Sequence, residues 1–201
     1  MSNLVCGIDE VGRGACLSSM IVCAVVIDDS DLPLLKKYRV RDSKKVSKHA
    51  RSFLYKKLYD ENIIKRAIVY IIPANVIDGQ NINKIEEKIV YDMVLDLRRT
   101  GVKKIFIDKF SHNIVSGKDI VCEYHADAKY RVVGAASIIA KVLRDNMMVG
   151  YSRMTGKNLG SGYPADSITV KYLKEEYKKT GQFPKIARKS WGTCKRIRKE
   201  I

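Results

Sequence analysis

The chain predicts an α/β fold, a mixed β-sheet with helices packed on it and a helical appendage at the C-terminal end. Three observations lead there. The first third carries three β-type apolar runs, Leu4–Ile8, Met20–Ile27 and Ile64–Ile72. After it, segments of helical and strand period alternate. The last 50 or so residues then lose strand patterning altogether.

Each element has its own signal. The strands are rich in Ile and Val, side chains that fit a pleated surface. A polar stretch from Asp42 leads into a helix over Lys48–Tyr59. From Asn83 to Arg99 the apolar residues Ile85, Ile89, Val90, Met93, Val94 and Leu97 recur at helical spacing, and Gly101 suits a C-terminal cap. Short strands follow at Lys104–Asp108 and Ile120–Glu123. Val132–Met148 is an Ala-rich helix, Gly156–Tyr163 a Gly-rich loop, and Ser167–Lys178 another helix, before a basic tail around Trp191. Residues 1–150 are expected to form the sheet domain, and 151–201 its helical extension.

With 201 residues, 46% of them hydrophobic and only 4 Pro, the chain is long and apolar enough to bury a core, which excludes a disordered or collagenous chain. No apolar run approaches the roughly 20 residues of a membrane span, and an Asp-Glu pair directly follows the first apolar stretch, so a cytoplasmic protein without a membrane partner is expected. The 38 Lys and Arg against 22 Asp and Glu give a net charge of +16. Much of the excess is clustered, at Lys36-Lys37, Lys44-Lys45, Lys178-Lys179 and from Lys185 to Lys199, which points to a polyanion such as nucleic acid. The five Cys are scattered without a CxxC pair, so a zinc or dithiol site is not expected.

Carboxylates stand at strand ends. Asp9 and Glu10 follow Ile8, Asp108 ends its strand, and Asp127 lies just past Glu123. In an α/β sheet such residues gather at one edge, although a lone Asp at a strand end is more often a turn or cap residue. Adjacent Asp9 and Glu10 point to opposite faces unless the strand bends or ends. Crowded acids raise one another's pKa values, and a divalent cation relieves that. Oxygen ligands favour Mg²⁺ or Mn²⁺, and two such ions about 4 Å apart suit phosphodiester hydrolysis.

Seven motifs then occur in order: GIDEVGRG (Gly7–Gly14), DSKKVS (Asp42–Ser47), NINKIE (Asn81–Glu86), FID (Phe106–Asp108), ADAKYRVVGAASIIAKVLRD (Ala126–Asp145), GSGYP (Gly160–Pro164) and ARKSW (Ala187–Trp191). Together they resemble type 2 ribonuclease H, specifically ribonuclease HII in its archaeal-like version. The resemblance implies a ribonuclease H-like fold and an endonuclease that hydrolyses RNA in RNA/DNA hybrids. It also implies a nick 5′ of single ribonucleotides embedded in duplex DNA, leaving 3′-hydroxyl and 5′-phosphate ends, for ribonucleotide removal and primer processing.

The resemblance carries the metal-binding and catalytic role to Asp9, Glu10, Asp108 and Asp127, with Mg²⁺ or Mn²⁺ as cofactor. Asp145 matches a further acid near the site, and equally fits a helix residue paired with Lys141 or Arg144. Gly12, Arg13 and Gly14 match the loop whose backbone reads the ribose 2′-hydroxyl, and Tyr163 the ring that packs on the next deoxyribose. Ser43, Lys44 and Lys45 match a phosphate-binding segment, and Arg188, Lys189 and Ser190 a tail that approaches the nucleic-acid backbone. The chain departs from the family pattern at Ala15 and Ser18-Ser19, where Pro and Gly-Pro are usual. A monomer is expected, and no clamp-binding motif follows Trp191 to support docking on a replication clamp. Three other readings stay open at this level: ribonuclease HIII, a binding module for hybrids or structured RNA in which the acids are relics, and a catalytic subunit that needs partner chains.

Overall fold

In the computed structural model the described residues are 3–41, 46–109 and 115–201. Five strands, β1 (Leu4–Val11), β2 (Met20–Asp28), β3 (Ile64–Ile72), β4 (Lys104–Asp108) and β5 (Ile120–Glu123), form one sheet in the order β3-β2-β1-β4-β5. β1 pairs with β4 in parallel, with Gly7 opposite Phe106 and Ile8 opposite Ile107, and β4 pairs with β5 in parallel. The helices are α1 (Leu32–Lys37), α2 (Lys48–Asp60), α3 (Ala74–Ile77), α4 (Ile82–Arg99), α5 (Ala126–Lys129), α6 (Arg131–Thr155), α7 (Ser167–Thr180) and α8 (Gly192–Glu200). The expected mixed α/β sheet is therefore present. No helix among the described residues is long and apolar enough to cross a membrane.

The chain separates into two compact units interleaved in sequence. The first comprises Met1–Val11, Val22–Tyr70 and Asn83–Val142, and the second Gly12–Ile21, Ile71–Ile82 and Leu143–Ile201. The division differs from the expected boundary at residue 150. It falls inside α6, and residues 12–21 and 71–82 cluster with the C-terminal part.

The first unit buries the β-branched runs of β1, β2 and β4 together with Val90, Met93, Val94 and Leu97 of α4 and the small and apolar residues of α6. α6 lies very close to β1. A Cβ at Gly7 would stand 2.4 Å from main-chain atoms of Val132 and Val133, so only glycine permits that approach. The second unit has its own core of Leu17, Met148, Leu159, Tyr172, Leu173, Phe183 and Ile197.

Several elements depart from the sequence expectation, in which the short helices α1, α3 and α5 have no counterpart. β1 continues through Glu10 to Val11 instead of ending at Ile8, α6 runs on to Thr155, and α8 occupies part of the basic tail. The sequence Gly192–Glu200 offers only Thr193, Cys194 and Ile197 to a core, too few for an apolar period to stand out.

Candidate active site

The first unit holds the acids. Asp9 and Glu10 are neighbours near the end of β1, and Asp108 ends β4, the strand paired with β1. One carboxylate oxygen from each of Asp9, Glu10 and Asp108 lies within 4.8 Å of the other two. The alternation of the strand therefore does not separate Asp9 from Glu10. The Glu10 N–H donates to Asp9 Oδ1 at 2.8 Å, and the Ala126 N–H donates to Asp108 Oδ1 at 2.8 Å. That second bond ties the start of α5 to β4, and the next residue, Asp127, is buried with its charge acting on Asp9.

Asp9 is 5% exposed. Burial, reinforced by the charges of Asp108 and Asp127, pushes its carboxyl from the ordinary 3.8 up to about 7, against hydrogen bonds from the Ser137 hydroxyl and the Glu10 N–H. Ser137 sits in the Ala-rich stretch of α6 and is buried there; a hydroxyl among alanines is the sequence signal for it. The donor set is all oxygen, crowded and partly desolvated, which fits a hard divalent cation.

The second unit holds the glycine loop. Gly12 has a φ of 87°, and a Cβ there would meet the Arg144 side chain at 2.5 Å and Ser19 O at 2.9 Å. Arg144 is fully buried and donates to Leu17 O (3.1 Å), Ser19 O (3.3 Å) and Ser161 O (3.0 Å), with its guanidinium 4.7 Å from the centre of the Tyr163 ring. Burial lowers its pKa below the usual arginine value. Tyr163 itself sits half-buried in a loop held by its neighbours. Gly162 N–H donates to Thr169 Oγ1 at 2.9 Å, and that hydroxyl donates to Leu159 O at 2.8 Å. Asp166 accepts from the Ser161 and Ile168 N–H groups, which lowers its pKa.

Arg188 does not sit where a phosphate contact was expected. It is fully buried and donates to Gly12 O, Arg13 O and Ser18 O, because the tail folds back along the glycine loop. Ser190 is likewise engaged internally: its N–H donates to Asp78, and its hydroxyl accepts from the Gly79 N–H. Asp145 is half-buried in the second unit, and its charge acts on Arg144. Ser43, Lys44 and Lys45 lie outside the described residues.

The ribonuclease HII family model matches residues 6–194. The chain belongs to the ribonuclease HII family. A ribonuclease HII from Methanocaldococcus jannaschii is 37% identical over 218 residues, covering 96% of this chain and 94% of that protein. Among solved structures, ribonuclease H2 from Pyrococcus horikoshii is similar with a TM-score of 0.84 and 32% identity, covering 98% of each chain. The Archaeoglobus fulgidus ribonuclease HII solved in complex with PCNA has a TM-score of 0.80 and 31% identity over 96% of each chain. Membership makes this chain an RNA-hydrolysing endoribonuclease of the type 2 class with a ribonuclease H-like sheet. Ser137, which sequence reasoning gave no role, and Arg144, read there only as a pairing partner for Asp145, both lie in the ADAKYRVVGAASIIAKVLRD motif.

Proposed function

We propose that the chain is a divalent-metal-dependent endoribonuclease that hydrolyses RNA in RNA/DNA hybrids and nicks duplex DNA 5′ of a single ribonucleotide. The observation that carries this reading is the convergence of Asp9, Glu10 and Asp108 within 4.8 Å inside a chain of net charge +16. Acids gathered at one point would repel phosphate, and a basic surface would attract it; a bound cation reconciles the two.

Asp9, Glu10 and Asp108, with Asp127 beside Asp9, would hold Mg²⁺ or Mn²⁺. When bound, the metal supplies Lewis-acid stabilisation of the scissile phosphate and activation of water. The protein's part is orientation. Ser137 and the Glu10 N–H fix the Asp9 carboxylate, and the Ala126 N–H fixes Asp108. In the net reaction an oxygen–phosphorus bond forms from water and the bond to the leaving 3′-oxygen breaks. One proton of the water ends on that oxygen and the other passes to solvent, giving 3′-hydroxyl and 5′-phosphate ends. The backbone of Gly12, Arg13 and Gly14 reads the 2′-hydroxyl, the one group that marks RNA at that position, and the Tyr163 ring packs on the following sugar. The partners are the hybrid and the ribonucleotide-containing duplex.

The test is cleavage of an end-labelled DNA duplex with one ribonucleotide, in Mg²⁺, Mn²⁺ or EDTA, beside an all-DNA duplex. A single metal-dependent nick 5′ of the ribonucleotide is expected. An uncut duplex under every ion, with a long hybrid also intact, overturns the reading in favour of a binding module.

A further inference from the structure

The loop from Gly12 to Ser19, GRGACLSS, contains two glycines and no proline, so its intrinsic conformational freedom is high. Something else must hold it. In the second unit, residues 186–188 run along it as a short antiparallel segment: Leu17 bridges Ala187, the Ser18 N–H donates to Ile186 O at 2.7 Å, and the Arg188 N–H donates to Cys16 O at 3.0 Å. The Arg188 side chain completes the clamp. Its Nη1 donates to Arg13 O at 2.7 Å, and its Nη2 donates to Gly12 O at 2.6 Å and Ser18 O at 3.3 Å, while the guanidinium lies 4.8 Å from the centre of the Trp191 ring.

We infer that Arg188 is a positioning residue that sets the preference for a ribonucleotide, by fixing which way the peptide groups of the glycine loop face. This rests on the ribose-reading role given above to residues 12–14. The peptides are trans, so each C=O points opposite to the N–H of the next residue. Drawing the carbonyls of Gly12 and Arg13 inward to one guanidinium turns the N–H groups of Arg13 and Gly14 the other way. Gly14 is exposed, with no heavy atom within 4 Å of where a Cβ would stand, so a sugar can approach that backbone. Burying a guanidinium carries a large desolvation cost, offset here by three carbonyl acceptors and an aromatic face. A lysine ammonium is a compact point donor and lacks the planar fork that spans separated carbonyls.

Binding is measured in Mg²⁺ with Asp108→Asn as parent, so that cutting does not intervene, using a duplex with one ribonucleotide and an all-DNA duplex of the same sequence. The parent is expected to prefer the ribonucleotide duplex. Adding Arg188→Lys is expected to weaken that duplex at least tenfold while the all-DNA Kd stays within twofold, with Arg188→Gln behaving alike. A general loss of fold would weaken both duplexes, and thermal melting identifies it. A preference that survives in both variants overturns the role of Arg188 alone. A parent that binds the two duplexes equally overturns the ribose reading, and the inference falls with it.

Discussion

In the first unit, three carboxylates from β1 and β4 converge within 4.8 Å and Asp9 is held near a pKa of about 7. In the second, two buried guanidiniums, Arg144 and Arg188, each donate to three main-chain carbonyls. Both are buried charge, yet the energetics run in opposite directions. The carboxylates repel one another and stay crowded because the fold compels it, an arrangement that a bound cation relieves. The arginines are held by main-chain dipoles the chain supplies itself, and what they secure is the path of residues 12–19. Mutual repulsion of acids marks the chemistry; a cage of main-chain carbonyls marks the positioning.

The largest effect expected from breaking this contrast is at Asp108, whose carboxylate both joins the cluster and accepts the Ala126 N–H. Asp108→Asn keeps the shape and an acceptor but removes a charge. Cleavage of a single-ribonucleotide duplex is expected to fall by about 10²–10³-fold or more, the order lost with one preorganised electrostatic group. Thermal stability in EDTA should not fall in step. A variant that still cuts at the parent rate would show that the cluster is not the site of chemistry.

A smaller effect sharpens the same contrast through stability. Asp9 keeps its proton up to about pH 7 in the folded protein but releases it near 3.8 when unfolded. Between those values the folded state binds more protons, so metal-free stability falls as pH rises from about 4 to about 7. Asp9→Asn lacks that titration and keeps an acceptor for the Glu10 N–H. Without metal it should melt close to the wild type at pH 4 and be more stable by on the order of 4 kcal/mol at pH 8. Melting curves across that range in EDTA test it; a variant equally destabilised at both pH values would mean that Asp9 is not strained by its surroundings.

The contrast also explains what the sequence made legible. Strand-end acids are visible because β-runs announce their ends, and Lys104–Asp108 and Ile120–Glu123 match the observed strands. The convergence of Asp9 with Glu10 was not, since period 2 alone puts adjacent side chains on opposite faces. Arg188 was misplaced for a related reason. An arginine in a basic tail reads as a surface cation, and nothing local reveals that residues 186–188 pair with 16–18, some 170 positions earlier. The interleaving of the two units is likewise a matter of long-range pairing, which no window of sequence contains.

The smallest expected effect lies in the glycine loop itself, at Ser18. Its φ is 75°, a left-handed backbone that costs a residue with a Cβ about 1–2 kcal/mol. Its side chain is buried, with Oγ making no hydrogen bond among the described residues, an added cost of about 1 kcal/mol or more. Replacing Ser18 with glycine relieves both, against a loss of roughly 0.5–1 kcal/mol from the greater freedom of glycine in the unfolded chain. Its main-chain bonds, the N–H to Ile186 O and the C=O from Arg188, do not depend on the side chain. Ser18→Gly is therefore expected to raise stability by about 1 kcal/mol, read as a rise in the denaturant midpoint at unchanged slope. Because Arg188 still clamps both ends of the loop, discrimination between ribonucleotide and all-DNA duplexes should hold. A stabilised variant that lost its discrimination would mean that strain at Ser18, and not the arginine clamp, shapes the ribose-reading turn.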